Sequence, residues 1–170
     1  AQTLHVPGDF SNIQDAIDFA DNGFEIIVAP GTYTDIHQQV VDFDGKAIWL
    51  HSSDGPSQTV ILGNYERRCI VCISGESADT RIEGFELAEG QGVAIDVDGD
   101  GISDAWETNG GGMLNYESEP TVVNCKFASC FGDQGGAVYN RKFAAATFTG
   151  CTFNGCFADS GTDPRGGAIF

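Results

Sequence analysis

The segment CKFASCFGD at residues 125–133 is repeated 26 residues later as CTFNGCFAD at residues 151–159. Both copies have the pattern Cys-x-Phe-x-x-Cys-Phe-x-Asp. Glycine pairs recur around the two copies, and each pair precedes a short apolar segment; these pairs are Gly111-Gly112, Gly135-Gly136 and Gly166-Gly167. A period of roughly 20–50 residues is typical of solenoids, repeat arrays and propellers.

Short runs of β-branched and aromatic residues recur along the chain, separated by Gly, Asp, Ser and Pro, and such runs predict strands. They lie at residues 25–33, 47–55, 59–64, 69–75, 80–90, 121–130 and 146–156. A propeller blade needs about 40 residues or more, whereas about 22–26 residues fit one coil with three strands and three corners. We therefore predict an all-β fold, a right-handed parallel β-helix, with a single domain over residues 1–170 and coils over residues 25–170.

In a parallel β-helix, residues at equal positions of successive coils stack on one another. Phe127 and Phe153 are predicted to stack in this way. The pairs Cys125–Cys151 and Cys130–Cys156 should stack as well. Adjacent strands lie about 4.8 Å apart, which suits the Cα atoms of a disulfide, but the Cβ atoms of stacked residues are usually further apart than a disulfide requires. Two alternatives therefore stay open for these cysteines: a column of free thiols, or a disulfide at a position where the strand register is irregular.

Residues 11–23, SNIQDAIDFADNG, break the strand pattern and predict an amphipathic helix. Ser11 or Asn12 provides the N-cap, and Gln14 follows Ser11 at the spacing of a capping box. Gly23 is placed to end the helix. One apolar face is formed by Ile13, Ala16, Ile17 and Ala20. Because the first coil of a solenoid has an open apolar end, we expect this helix to cap it.

Residues 96–107, DVDGDGISDAWE, follow the EF-hand-type calcium pattern D-x-[DN]-x-[DN]-G-x5-E. Calcium prefers about six to eight oxygen ligands, and Gly101 permits the sharp turn that directs them inward. The predicted ligands are Asp96, Asp98, Asp100, the backbone carbonyl of Ile102, Asp104 and Glu107. The alternative is an acidic, solvated loop without metal. Trp106 is expected to pack the loop against the rest of the protein.

The segments NIQDAIDFADNGFEIIVAPGTYTD at residues 12–35 and GKAIWLHSSDGP at residues 45–56 carry a family resemblance. They resemble the opening of right-handed parallel β-helix proteins of the pectate-lyase-like superfamily, in particular secreted bacterial ones. The resemblance covers residues 3–170. The acidic loop resembles the calcium loops of dockerins and thrombospondin type 3 repeats. The resemblance implies the fold, but this fold carries lyases, hydrolases, adhesins and passive spacers.

Charge narrows the classes of partner. With 8 Lys and Arg against 25 Asp and Glu, the net charge is −17, which argues against nucleic acids and anionic membranes. No apolar run has the length of a membrane span. The chain begins at Ala1-Gln2 without Met, which we interpret as a mature secreted product.

A polysaccharide lyase or hydrolase is the alternative function. The basic residues are scattered, and none lies beside an obvious acidic pair in the same strand register. The G-H-G and R-I-K motifs of the hydrolases on this fold do not occur. Three histidines, His5, His37 and His51, lie far apart in the sequence and are interpreted as surface polar residues. No catalytic residue is therefore predicted.

The favoured interpretation is a secreted or cell-surface structural protein that is stabilised by calcium. It would form part of an extracellular filament or adhesive assembly, with a carbohydrate-binding module as a further alternative. Residues 166–170, GGAIF, begin a new coil without a protective segment. We expect this end to pair with another subunit or with further coils of a longer chain.

Overall fold

The computed structural model describes residues 2–97, 100–159, 161 and 165–170. Within these residues the chain winds as a solenoid of parallel strands, because each strand pairs with the equivalent strands one coil before and one coil after it. From the second to the fifth coil, the strands follow the same order, first in sheet 1, then in sheet 2 and then in sheet 3. This arrangement confirms the predicted parallel β-helix.

Sheet 1 and sheet 2 lie along two faces of the solenoid. Sheet 1 consists of β1 (Thr3–Val6), β2 (Glu25–Val28), β5 (Trp49–Ser52), β8 (Arg81–Glu83), β11 (Thr121–Val123) and β15 (Thr147–Thr149). Sheet 2 consists of β3 (Gly31–Tyr33), β6 (Thr59–Leu62), β9 (Glu86–Ala88), β12 (Lys126–Ala128) and β16 (Thr152–Asn154). Six strands in sheet 1 correspond to six coils.

Sheet 3 forms the third face, and a short strand pair lies at the corner before it. The sheet consists of β4 (Gln39–Asp42), β7 (Arg68–Cys72), β10 (Met113–Tyr116) and β14 (Val138–Arg141). The corner pair consists of β13 (Phe131–Gly132) and β17 (Phe157–Ala158). An isolated bridge from Val138 to Ile169 begins the next strand position of sheet 3.

The core runs along the solenoid axis between the sheets. In sheet 1 the register places one apolar side chain from each coil at the same inward position, in the column Leu4, Ile26, Leu50, Ile82, Val122 and Phe148. All but Phe148, in the last of these coils, are buried. The predicted stack of Phe127 on Phe153 is confirmed, with ring centroids 4.9 Å apart and an angle of 15° between the rings.

The corner between sheet 1 and sheet 2 is short and uniform in the later coils. It contains two residues, and the first has a positive φ: +77° at Gly84, +49° at Asn124 and +66° at Gly150. The corner between sheet 2 and sheet 3 varies in length. Glu86 and its partner Lys126 are 40 residues apart, whereas the partners Asn115 and Asn140 are 25 residues apart. The extra residues form an insertion over residues 93–110.

The N-terminal helix α1 (Ile13–Phe19) is present within the predicted segment, but it is shorter. Asn12 is the N-cap, and its side chain accepts a hydrogen bond from the Asp15 backbone N–H at 2.7 Å. The apolar face packs into the core beside β1, β2 and β4. The helix therefore covers the end of the core where the first coil begins.

Two details of the predicted helix were wrong. Gln14 does not form a capping box with Ser11, because its side chain pairs with both backbone groups of Asp42 on β4, at 2.8 and 3.0 Å. The helix ends at Phe19 and does not continue to Gly23. The Lys46 ammonium satisfies the last carbonyls by donating to Ile17 and Asp18, so no glycine C-cap is required.

Candidate functional site

The predicted calcium loop lies in the insertion between β9 and β10. Asp98 is outside the described residues, and the other predicted ligands are within them. The Asp96 carboxylate accepts a hydrogen bond from the Gly101 N–H at 2.9 Å, and the Asp100 carboxylate accepts one from the Ile102 N–H at 2.8 Å. Gly101 has φ +81°. The backbone therefore makes the tight turn that the sequence predicts there.

Glu107 closes this loop from the other side. It is fully buried, although it is an acidic residue, and lies in a single 3₁₀ turn over Ala105–Thr108. One carboxylate oxygen accepts a hydrogen bond from the Val97 N–H at 2.6 Å, and the other accepts one from the Asp104 N–H at 2.7 Å. The Glu107 side chain thus joins the two halves of the loop.

Arg68, the first residue of β7, attaches the insertion to the solenoid. Its side chain is completely buried. The guanidinium donates to four carbonyl oxygens at both ends of the insertion, those of Val93 at 3.2 Å, Glu107 at 2.6 Å, Asn109 at 2.8 Å and Gly110 at 2.9 Å. Burial lowers the pKa of Arg68 to about 10, and the nearby negative charge of Glu107 opposes this shift. Sequence reasoning missed this contact because Arg68 is distant from the insertion along the chain.

The opposite side of the insertion packs on the outer face of sheet 3. Val71, Leu114 and Tyr139 point outward from three successive strands, and Ile95, Val97 and Trp106 of the insertion pack against them. The Trp106 ring stacks on Tyr116 with centroids 5.3 Å apart, and the Arg141 guanidinium lies 4.3 Å from the Trp106 centroid. These contacts confirm that Trp106 packs the loop against the protein.

The donor chemistry of the loop fits a hard cation. The side chains proposed as metal ligands carry carboxylates. A carboxylate oxygen that accepts one hydrogen bond keeps a lone pair that can bind a metal. Glu107 therefore fits as a ligand without losing its bonds to Val97 and Asp104. Among the described residues, which do not include Asp98, no three His, Cys, Asp or Glu side chains form a ready metal cluster.

A second polar cluster lies on the outer face of sheet 1. The Trp49 ring stacks on His51 with centroids 4.3 Å apart, and the Trp49 indole N–H donates to Glu83 at 3.2 Å. Arg81 forms an ion pair with Glu83 at 3.0 Å, and its guanidinium carbon lies 5.9 Å from the Trp49 centroid. Trp49 keeps 40% of its surface exposed. We call Glu25, Trp49, His51, Arg81 and Glu83 the sheet 1 cluster.

Glu25 joins the same cluster from β2. Its carboxylate accepts hydrogen bonds from the Thr3 hydroxyl at 2.9 Å and pairs with His51 Nε2 at 3.0 Å. The Thr3 bond and then the His51 bond lower the pKa of Glu25. The other ring nitrogen of His51 lies 3.3 Å from the Ser52 carbonyl oxygen. Both imidazole nitrogens of His51 are therefore in contact with oxygen atoms of the protein.

The sequence did not reveal the sheet 1 cluster. The interpretation of His51 as a surface polar residue did not identify its partner Glu25, which the coils bring to it from 26 residues away. Arg81 also lies beside an acidic residue, Glu83, that was not recognised as its partner. The signal that could have found the cluster is the strand register, since Glu25, Trp49 and Arg81 stack in successive coils.

A polar cleft of about 260 Å³ lies between α1 and β4. It is lined by Gln14, Asp18, His37, Gln39, Asp42 and Asp44. Burial raises the pKa of the Asp42 carboxyl, and the negative charges of Glu76, Asp44 and Asp18 raise it further. None of these lining residues is Phe, Tyr or Trp, and the Asp42 backbone is already held by Gln14.

Comparison of the chain with protein-family models, curated proteins and solved structures gave no match. Among the described residues, the only helix of the α type has seven residues, and no helix has the length and apolarity needed to cross a membrane.

Proposed function

We propose that this chain is a secreted or cell-surface structural protein of the pectate-lyase-like type, a parallel β-helix in which a calcium loop fastens neighbouring coils. The observation that carries the proposal is the attachment of the insertion at two places. Arg68 holds both of its ends against β7, and Trp106 packs on Tyr116 of β10. An ion that orders the loop would therefore stabilise the coils on which it lies.

Calcium is the proposed ion, with Asp96, Asp98, Asp100, Asp104, Glu107 and the Ile102 carbonyl as its ligands. Five carboxylates lie within twelve residues of sequence. Their mutual repulsion disfavours an ordered loop unless a cation balances it. Oxygen ligands and a flexible glycine turn suit calcium better than a softer metal. When bound, calcium would supply the positive charge that holds the acidic half of the loop closed.

The proposed structural role is assembly through the last coil. Phe157, Ile169 and Phe170 have 52%, 40% and 42% of their surface exposed there, and Phe153 is only partly buried. A parallel coil stacked on this end would cover the apolar side chains and pair the strand groups. Either further coils or a second subunit in head-to-tail contact would supply it. The head-to-tail contact would produce a filament.

Titration of the protein with calcium, measured by calorimetry, tests whether the chain binds this metal. We expect one calcium ion per chain and a higher unfolding temperature in its presence. The double variant Asp98→Asn/Asp100→Asn should bind calcium at least about tenfold more weakly, because it removes two ligand charges while keeping similar shapes. Asp79→Asn, at an exposed corner outside the loop, is the matched control and should bind normally. Absence of binding by the unaltered chain would exclude the calcium proposal.

Assembly is tested separately by sedimentation at increasing protein concentration, with and without calcium. Concentration-dependent growth is the expected result if a second copy covers the last coil. Phe170→Asp should reduce that growth, because it places a charge at the exposed end. Phe143→Asp changes an equally apolar residue that is 97% exposed at another corner, and should not alter assembly.

A second candidate function is glycan binding on the sheet 1 cluster. The exposed Trp49 ring, beside an arginine and two carboxylates, provides a flat apolar surface with hydrogen-bonding groups at its edge. Aromatic rings with such neighbours bind the apolar faces of sugar rings. Trp49→Ala should abolish retention on immobilised polysaccharides, whereas Tyr65→Ala, at an exposed corner, should not. An assay for calcium-dependent release of unsaturated uronides tests whether the chain also cleaves such a polymer.

A further inference from the structure

The chain has two tryptophans, and the indole N–H of each donates a hydrogen bond to a carboxylate. The Trp49 N–H donates to Glu83 at 3.2 Å, and the Trp106 N–H donates to Asp104 at 2.8 Å. Glu83 is also paired with Arg81 at 3.0 Å, so a cation balances its charge. Among the described residues, no ion pair includes Asp104. The two hydrogen bonds are alike, but only the second carboxylate lacks a cationic partner within the described part of the chain.

The Trp106 ring is fixed on sheet 3. It packs against the apolar cluster on the outer face of that sheet. It stacks on Tyr116 of β10, with ring centroids 5.3 Å apart and an angle of 17° between the rings. The Arg141 guanidinium of β14 lies over it, 4.3 Å from the centroid. Because these contacts set the orientation of the ring, they also set the direction in which its N–H points.

Asp104 is held by its backbone and by its side chain. Its backbone N–H donates to the Glu107 carboxylate at 2.7 Å, and its own carboxylate accepts the hydrogen bond from Trp106. An ionised carboxylate has two oxygens and about four lone pairs. The bond from Trp106 therefore leaves positions on Asp104 for an ion, or for a water molecule that binds the ion, as is common at the ninth position of such a loop.

The donor that holds Asp104 is electrically neutral. An indole N–H orients a carboxylate without cancelling its charge, whereas a lysine or arginine in the same place would repel an incoming cation. Residues that hold metal-binding carboxylates by hydrogen bonds typically change metal affinity by about 10–100-fold when they are replaced. The bond between Trp106 and Asp104 has the chemistry of such a support.

We propose that Trp106 is a positioning residue of the calcium site. Its indole N–H, anchored on sheet 3, holds the Asp104 carboxylate in the orientation that serves the ion, directly or through water. This role rests on the proposed calcium function of the loop, and it requires the N–H as well as the apolar ring. It also connects ion binding to β10 and β14, because the ring lies on Tyr116 and under Arg141.

The first test is calcium titration of Trp106→Phe by calorimetry. This variant keeps an aromatic ring and removes the N–H, so the calcium affinity should fall about tenfold while one ion still binds. Trp49→Phe is the matched control, because it removes the other bond between an indole and a carboxylate outside the loop. It should bind calcium as the unaltered chain does. Equal affinities for the unaltered chain and Trp106→Phe would overturn the role of Trp106.

A second pair of variants separates positioning from packing. If Trp106 acts through Asp104, then Trp106→Phe should not weaken calcium binding further in a chain that already carries Asp104→Ala. A tenfold loss in both backgrounds would mean that the ring only packs the loop against sheet 3, and would overturn the proposal. Circular dichroism without calcium confirms that the variants compared are folded.

Tryptophan fluorescence supplies a test that does not depend on the folding of Trp106→Phe. In Trp49→Phe, Trp106 is the only tryptophan. Calcium beside its partner Asp104 should change its emission, over the same calcium concentrations at which calorimetry records binding. In Trp106→Phe, the emission of Trp49 should stay constant. Unchanged Trp106 emission at saturating calcium would contradict the proposal.

The failure of this role differs from the failure of the calcium function. If the unaltered chain binds no calcium, the calcium function is wrong and the role of Trp106 is wrong with it. If the unaltered chain binds calcium and Trp106→Phe binds it equally well, the calcium function stands and only the role of Trp106 is wrong.

Discussion

The two copies of the nine-residue repeat share five residues at the same positions but have different environments. Phe127 in the first copy is completely buried, between Leu87 of the coil before and Phe153 of the coil after. Phe153 in the second copy is only partly buried, because no described coil lies beyond it. The repeat therefore determines where each side chain points, and the next coil determines how deeply it is buried.

The largest effect is expected from the covered copy. Phe127→Ala should lower the free energy of unfolding by about 3–5 kcal/mol, because it removes a ring that is packed on both faces and leaves a cavity. Urea denaturation followed by circular dichroism measures the loss. A loss below about 1 kcal/mol would mean that the core register is wrong.

The insertion extends the comparison to an earlier coil, because it lies between β9 and β10, ahead of both copies of the repeat. Arg68→Met should lower the free energy of unfolding by about 2–4 kcal/mol, since four carbonyl oxygens at the ends of the insertion lose their buried donor. Arg81→Met, on the exposed sheet 1 cluster, is the control and should cost less than about 1 kcal/mol. Equal losses of unfolding free energy for Arg68→Met and Arg81→Met in the same urea experiment would contradict the proposed attachment of the insertion by Arg68.

The uncovered copy should respond less than the covered one. Phe153→Ala should cost about 1–2 kcal/mol, because the ring has one packed face and the other is open. Measurement at low and high protein concentration sharpens the comparison. A loss that approaches the Phe127→Ala value only at high concentration would show that another chain covers the last coil.

The smallest expected effect is the contribution of Glu25, on β2, to the pH dependence of stability. The folded pKa of Glu25 is lowered, so its contribution to stability is present above the unfolded pKa, near 4.5, and is lost as the pH falls through the lower folded value. Asp42 has a raised pKa and acts in the opposite direction, so a variant is needed to separate the two. With Glu25→Gln, the urea concentration at the midpoint of unfolding should decrease less steeply below about pH 4.5. With the exposed Glu66→Gln it should decrease as in the unaltered chain.

The sequence was sufficient for the fold because the repeat reports directly on coil geometry. The residues that segments 125–133 and 151–159 share can stack only if the chain reaches the equivalent place on the solenoid in each coil. The period of the apolar residues in α1 likewise identified the helix, but its end depended on Lys46 from a later coil. Such long-range contacts have no local signature.

The candidate sites were predictable to different degrees. The acidic loop could be recognised because its proposed ligands are contiguous in sequence. The sheet 1 cluster and the contacts of Arg68 with the insertion could not be recognised, because their members come from coils of unequal length. Without a structure, the 40-residue spacing of Glu86 and Lys126 hides which residues of neighbouring coils face each other.

The unequal corners have a consequence for engineering. The two-residue corner between sheets 1 and 2 works as a fixed spacer, because its left-handed first residue recurs in successive coils. The corner between sheets 2 and 3 accommodates an insertion over residues 93–110 while β10 still pairs in register with β7 and β14. Foreign peptides grafted at this second corner, for example between Tyr65 and Glu66, should be displayed at the surface without shifting the strands around them.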